Sequence, residues 1–168
     1  GIGVATFAYF DASALAKRYA RERGTDVINY LFAAVPSERM LCLSRGIAEV
    51  VSVFVRKKNA RLLTPEVFGQ VMVDFRQEVI DPEGFKKIPV DPLINDALPL
   101  IERYSINATD GILLRSALDI AEQLRLGGDD LLLVSSDIRL LSAAQAEGLV
   151  TLNPETQSAS DLEALLAK

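Results

Sequence analysis

Leu131-Leu132-Leu133-Val134 has no polar residue at either parity. A strand with one wet face alternates apolar and polar side chains, whereas an unbroken apolar run is buried on both faces. This segment therefore reads as a central strand of a parallel sheet. Such a strand needs helices above and below it, and the chain has to supply them. A length of 168 residues suits one domain and is enough to bury a core without staples.

The rest of the chain provides the layers. Thr6-Phe7-Ala8-Tyr9-Phe10 predicts a first strand. A helical pattern opens at Asp11-Ala12-Ser13, with Leu15, Ala16 and Tyr19 on one side. Gly24-Thr25-Asp26 breaks it and starts a second helix to about Val35. Arg39 to Leu43 reads as a second strand, and Ser44 is placed to cap a long helix striped by Ile47, Val50, Val51, Phe54 and Val55. Thr64-Pro65-Glu66 combines a cap, a proline at the first position and an acid, a strong helix start. Asp81-Pro82-Glu83-Gly84 ends that helix, Lys86 to Val90 predicts a third strand, and Asp91-Pro92 starts a helix to about Tyr104. Asn107, with Asp110 three residues on, opens a helix to about Leu126, closed by Gly127-Gly128. Asp137 caps a helix to about Glu147, and Leu149 to Leu152 is the last strand.

Strands alternate with helices throughout, without internal repeats. The expected fold is a three-layer α/β/α domain with a parallel sheet of about five strands. Residues 4–152 are assigned to the domain and 153–168 to a polar C-terminal tail with a short helix from Asp161.

The chain contains no histidine. Ser-His-Asp hydrolysis, histidine-based general acid–base cleavage and histidine-ligated zinc are thereby excluded. Hydrolytic chemistry would have to come from carboxylates, Ser, Lys or Tyr, with an oxygen-ligated metal. The net charge of −5 and pI near 4.8 argue against bulk electrostatic binding of nucleic acid. Bound divalent cations would reverse the field locally. The single cysteine, Cys42, lies in an apolar run and reads as a core residue. The apolar stretch behind Gly1-Ile2-Gly3-Val4 lacks a basic flank and stops at Asp11, too short for a signal peptide or a membrane span. The expectation is a soluble, cytoplasmic protein.

Ligands of an open parallel sheet bind at the carboxyl ends of its strands. Asp11 follows the first strand directly, and Asp137 follows the Leu-rich strand after Ser135-Ser136. Glu49 lies about one turn into the helix after the second strand, and Asp110 lies in the first turn of the helix leading to the Leu-rich strand. Each acid alone has an ordinary explanation. Asp11 and Asp137 are at capping positions, Asp110 suits a helix dipole, and Glu49 can pair with Arg45. Yet Glu49 sits among Ile47, Ala48, Val50 and Val51, where a charge is rarely left alone.

Four segments carry a joint resemblance. They are Tyr9-Phe10-Asp11-Ala12-Ser13-Ala14-Leu15-Ala16-Lys17-Arg18-Tyr19, Ser44-Arg45-Gly46-Ile47-Ala48-Glu49-Val50, Asn107-Ala108-Thr109-Asp110-Gly111-Ile112-Leu113-Leu114-Arg115-Ser116-Ala117-Leu118 and Leu133-Val134-Ser135-Ser136-Asp137-Ile138-Arg139-Leu140. In this order they resemble the PIN-domain family, including VapC-like ribonucleases, the toxins of type II toxin–antitoxin pairs. The third segment departs at or beside Leu114, where many members carry a histidine that is not a metal ligand. The resemblance implies a Mg²⁺- or Mn²⁺-dependent endoribonuclease. Asp11, Asp110 and Asp137 would be metal ligands, and Glu49 would ligate through water or orient the nucleophile. Ser13 and Ser135 would hold carboxylates by hydrogen bonds. Arg18, Arg45 and Arg115 are candidate phosphate contacts, with the run Arg56-Lys57-Lys58 a weaker one beside its reading as a solvated helix end. The implied partners are RNA, a second copy in a homodimer, and an antitoxin whose arginine enters the acidic crevice.

Other readings compete. A haloacid-dehalogenase-type phosphatase would use Asp11 as nucleophile, but it wants a second acid where Ser13 stands. A receiver domain shares Mg²⁺ and strand-end Asp, but its acceptor Asp and late lysine are not evident. A catalytically degenerate PIN-like domain would serve as an RNA- or protein-binding module, and the presence of all four acids argues against it.

Overall fold

The structure is a computed structural model that describes residues 5–167. Gly1–Val4 and Lys168 lie outside the described residues, and with them the reading of the first four residues and the final residue of the tail. The strands are β1 Thr6–Phe10, β2 Met40–Leu43, β3 Lys86–Ile88, β4 Asp130–Val134 and β5 Val150–Leu152. They form one sheet in the order β3-β2-β1-β4-β5, and every neighbouring pair is parallel. The Leu-rich segment is interior, as its lack of alternation requires, with Leu131 to Val134 all buried.

The pleat divides the core in two. Ala8, Phe10, Met40, Cys42, Leu132 and Val134 face one helical layer, made by α1 (Ala12–Ala16), α2 (Thr25–Ala34), α3 (Ser44–Asn59), α4 (Pro65–Phe75) and α8 (Ala159–Leu166). Tyr9, Leu41, Leu43, Leu131 and Leu133 face the other, made by α5 (Ile94–Tyr104), α6 (Ala108–Leu126) and α7 (Ile138–Ala146). This is the expected three-layer α/β/α arrangement. No helix among the described residues is long and apolar enough to cross a membrane.

Several boundaries differ from the sequence reading, for local reasons. α1 ends early: Lys17, Arg18 and Tyr19 donate to carbonyls three residues back and tighten into turns. Ser44 does not cap α3. The chain runs straight out of β2, so extended Leu43 is the cap and Ser44 is the first helical residue. β3 stops at Ile88 because Pro89 has no N–H to continue the ladder. Pro92 lies in a single tight turn, Asp91–Leu93, and α5 begins only after it. Thr64 caps α4 as expected, accepting from the Val67 N–H at 3.2 Å.

The segment after β5 is polar at its surface but closely attached. A capping box between Ser158 and Asp161 starts α8, and Leu162 is fully buried in the α2 layer. Gly24, at φ +95, lets the turn before α2 approach this segment. A Cβ there would lie 3.0 Å from the Pro154 carbonyl oxygen.

α5 and α6 cross where Gly111 meets Ile101. A Cβ at Gly111 would stand 2.3 Å from Ile101 Cγ1. That atom is rooted next to the backbone of α5, so it cannot swing clear. The helix-propensity gain of alanine, about 1 kcal/mol, is therefore outweighed by overpacking of about 1–3 kcal/mol. Gly111→Ala is expected to lower the urea midpoint, and adding Ile101→Ala should recover part of the loss. Equal midpoints for wild type and Gly111→Ala would mean the crossing tolerates a side chain.

Candidate active site

The order β3-β2-β1-β4-β5 places β1 where the chain winds outwards in both directions, and a crevice opens between β1 and β4 at their carboxyl ends. The pairing is in register from Thr6↔Asp130 to Phe10↔Val134. Asp11 continues it by donating its N–H to the Val134 carbonyl at 3.1 Å. The next two side chains in line, Asp11 and Ser135, then meet across the crevice.

Asp11 is buried and doubly held. Its Oδ1 accepts from the Ala14 N–H at 2.8 Å, capping α1, and its Oδ2 accepts from the Ser135 hydroxyl. Ser135 Oγ in turn accepts from the Asp137 N–H at 3.0 Å. One buried serine thus ties the two acids together. Asp137 is exposed and caps α7, its Oδ1 accepting from the Leu140 N–H at 3.1 Å. Asp110 is half-buried in the first turn of α6, where its N–H donates to Asn107 Oδ1 at 2.8 Å. Glu49 is half-buried on α3, its carboxylate 3.6 Å from the Arg45 guanidinium.

All four acids line one cleft of about 940 Å³. Burial pushes the Asp11 carboxyl up to about 6; the Ser135 and Ala14 hydrogen bonds oppose the shift, the Asp137 charge adds to it and Lys17 relieves it. Asp110 is pushed up to about 7, first by burial and then by the charges of Asp137, Asp11 and Glu49. Asp110 therefore senses each of the other three acids. Their approach is electrostatic rather than a closed cage: among the described residues, no three His, Cys, Asp or Glu side chains are gathered tightly enough to hold an ion as they stand.

The expected supporting residues divide. Ser135 holds a carboxylate, whereas Ser13 is an exposed residue of the cleft wall. The bond expected of Ser13 is not among those formed between the described residues. Arg45 lines the cleft. Arg18 does not: it donates to Asn29 at 2.9 Å and Glu78 at 3.0 Å, and stacks over Phe32. Arg115 also points elsewhere, paired with Asp119 at 2.8 Å on the outer face of α6. The basic run splits, with Arg56 and Lys57 on the cleft and Lys58 over the Phe68 ring at 4.4 Å.

Sequence reasoning missed Lys17. It is 4% exposed and lines the cleft. Its ammonium is 3.0 Å from Glu22 and 3.6 Å from Glu155, and Glu22 also holds Lys57 at 2.7 Å. The only signal was a lysine on the apolar side of a short helical pattern. Its partners come from a turn and from the segment after β5, which no local pattern joins.

No family sequence model matches the chain, and no curated protein matches it in sequence. Solved structures do match in shape. The crystal structure of FitAcB from Neisseria gonorrhoeae aligns at TM-score 0.58 and 16% identity, over 90% of this chain and 100% of that one. The crystal structure of PAE2754 from Pyrobaculum aerophilum aligns at TM-score 0.58 and 21% identity, over 98% of both chains. At these identities the likeness is one of fold, and the fold is PIN-like.

The raised carboxyls set the sign of a pH effect. Unfolded, both acids return to the ordinary range near 4. Folded, they hold protons up to about 6 and about 7. Between pH 4 and 7 these two acids bind more protons in the native state than in the unfolded one, and so make stability fall as pH rises. In metal-free buffer the melting temperature of wild type minus that of Asp110→Asn should decrease from pH 5 to pH 8. A difference independent of pH would show that Asp110 is an ordinary surface carboxylate.

Proposed function

We propose that the chain is a Mg²⁺- or Mn²⁺-dependent endoribonuclease that hydrolyses RNA phosphodiester bonds in the β1–β4 crevice. The observation that carries this reading is that Asp11, Glu49, Asp110 and Asp137 line one cleft, where burial first, and then the charges of Asp137, Asp11 and Glu49, push the Asp110 carboxyl up. Carboxylates crowded in this way are costly alone and are stabilised by a cation.

The donor set fits such an ion. Asp11, Asp110, Asp137 and Glu49 offer only hard oxygen atoms, which suit Mg²⁺ or Mn²⁺ rather than zinc. They come from four separate elements and face one cleft. Asp11, Asp110 and Asp137 are the residues that would hold it, with Glu49 at the side. When bound, the cation supplies Lewis-acid activation of water and offsets charge on the phosphate and leaving oxygen.

The chain's own residues do the rest. Ser135 fixes Asp11 Oδ2 and the Asp137 backbone together, setting the spacing of two acids before any ion arrives. Glu49, half-buried and loosely paired, orients the attacking water and takes its proton as the water oxygen bonds to phosphorus. The P–O ester bond breaks, and the leaving oxygen takes a proton from solvent. Arg45 faces the same cleft and meets a phosphate oxygen once its contact with Glu49 is released. A toxin role, with an antitoxin partner and a homodimer, extends the same reading. Induced expression should then arrest growth, and a co-purifying small protein should relieve it.

The test is cleavage of a labelled RNA with Mg²⁺, with Mn²⁺ and with a chelator. Wild type should cut only with the cation, while Asp11→Asn and Asp110→Asn should fall to background. Mn²⁺ should raise the melting temperature of wild type and not of Asp11→Asn, by binding linkage. Ser135→Ala should weaken Mn²⁺ binding by about 10–100-fold, the usual cost of losing a residue that orients a ligand. Cleavage that survives chelation and both Asp substitutions would overturn the reading.

A further inference from the structure

The cleft extends well beyond the acids. One wall is a single face of α3, on which Arg45, Glu49, Val53, Arg56 and Ala60 follow one another at three- and four-residue spacing. Arg56 lies two helical turns from Glu49, about 10 Å along the axis. It is exposed and has no acid partner among the described residues, whereas Lys57 beside it is held by Glu22 at 2.7 Å.

The end of this wall is built in an unusual way. Arg61 N–H donates to the Lys58 carbonyl at 3.0 Å, and Leu62 N–H to the Lys57 carbonyl at 2.8 Å. These two bonds form the reversal that closes a helix with a left-handed residue, a position normally given to glycine. Here it is Arg61, at φ +60. The residue after the reversal usually turns its apolar side chain back onto the helix. Leu62 instead stays 72% exposed on the rim of the cleft. A non-glycine residue is thus kept in a disfavoured conformation, and an apolar side chain is left in water on the cleft that Arg56 also lines.

We propose that the α3 end of the cleft is a subsite for single-stranded RNA flanking the cut bond, in which Arg56 takes a backbone phosphate and Leu62 supports an unstacked base. This deepens the nuclease reading and rests on it for the path of the strand. Charge complementarity selects the ligand, because a backbone with repeated phosphates can meet the acid end through a cation and the basic end directly. The apolar rim selects single strands, since only a base free of its partner can lie on Leu62.

The probe is a fluorescein-labelled eight-nucleotide RNA of mixed sequence, followed by polarisation in CaCl₂ over a range of KCl. The same proteins are assayed for cleavage in MgCl₂. Arg56→Ala should weaken binding about fivefold or more and reduce the salt slope by about one. Leu62→Ser should weaken binding without changing the slope, and Leu62→Tyr should tighten it by offering a ring to the base. Arg103→Ala removes an equal charge far from the cleft and should bind as wild type. Binding and slope unchanged in both Arg56→Ala and Leu62→Ser would overturn the subsite, even if cleavage depends on Asp11 and Asp110. A duplex bound as tightly as the single strand would overturn it as well. If nothing is cleaved but the Arg56 and Leu62 effects hold, the α3 end of the cleft is a site for single-stranded RNA and the nuclease reading falls.

Discussion

The parallel pairing of β1 with β4 is the constraint on which the site depends. Phe10 and Val134 are the last matched residues, and the chain positions immediately beyond them supply Asp11 and Ser135. A slip of one residue would turn each side chain to the opposite face of the sheet. Such a slip is blocked from within, because Ala8, Phe10, Leu132 and Val134 fill one core while Tyr9, Leu131 and Leu133 fill the other. Core packing, not the polar residues themselves, sets where the acids stand. The Ser135 hydroxyl then converts that placement into a fixed spacing by bonding Asp11 on one side and the Asp137 N–H on the other.

The ordinary roles of these acids and their joint role coexist because a carboxylate has two oxygens. Asp11 uses Oδ1 to cap α1 and Oδ2 to meet Ser135. Asp137 uses Oδ1 to cap α7, and its other oxygen takes no hydrogen bond among the described residues. Capping anchors each side chain in one rotamer with one oxygen already spoken for. The loss of a capping bond costs about 1 kcal/mol, a restraint on any motion that would carry the acids apart. Burial and repulsion oppose this, and Asp110 registers the conflict most clearly, with its carboxyl raised to about 7. A fold that anchors acids where their charges oppose one another has traded stability for a strong local field.

What was legible in the sequence followed from short-range rules. The apolar run at Leu131, the caps at Asn107 and Asp137, and the Thr64-Pro65-Glu66 start are local signals, and the structure has elements at each. The acids were legible by position, since strand ends of a parallel sheet face one edge. The misplaced residues were those decided by distant partners. Arg18 was expected at phosphate and is held by Glu78 and Asn29. Lys17 was passed over, and it is buried between Glu22 and Glu155. Ser44 has the composition of a cap, but a strand leading directly into a helix left Leu43 in that place. Ion pairs between segments far apart in the chain leave no periodic trace, so a charged residue's function is less readable than an apolar residue's burial.

The acidic balance of the chain, −5, is the remaining tension with an anionic substrate. It is eased by how the charges are distributed. At physiological salt, exposed charges more than about 8 Å apart are largely screened, so net charge acts weakly at a particular cleft. Within the cleft, α3 carries Arg45 and Arg56 toward the solvent side, while the raised carboxyls of Asp11 and Asp110 hold part of the negative charge as protons until pH rises past them. Lys17 adds a buried positive charge that Glu22 and Glu155, also on the cleft, neutralise. The field in the cleft is of short range, with Glu49 near one end of α3 and Arg56, unpaired among the described residues, toward the other, and α3 is the element that spans it. Glu49 and Arg56 lie on one rigid helix, so their separation is fixed by backbone geometry and does not depend on side-chain chance.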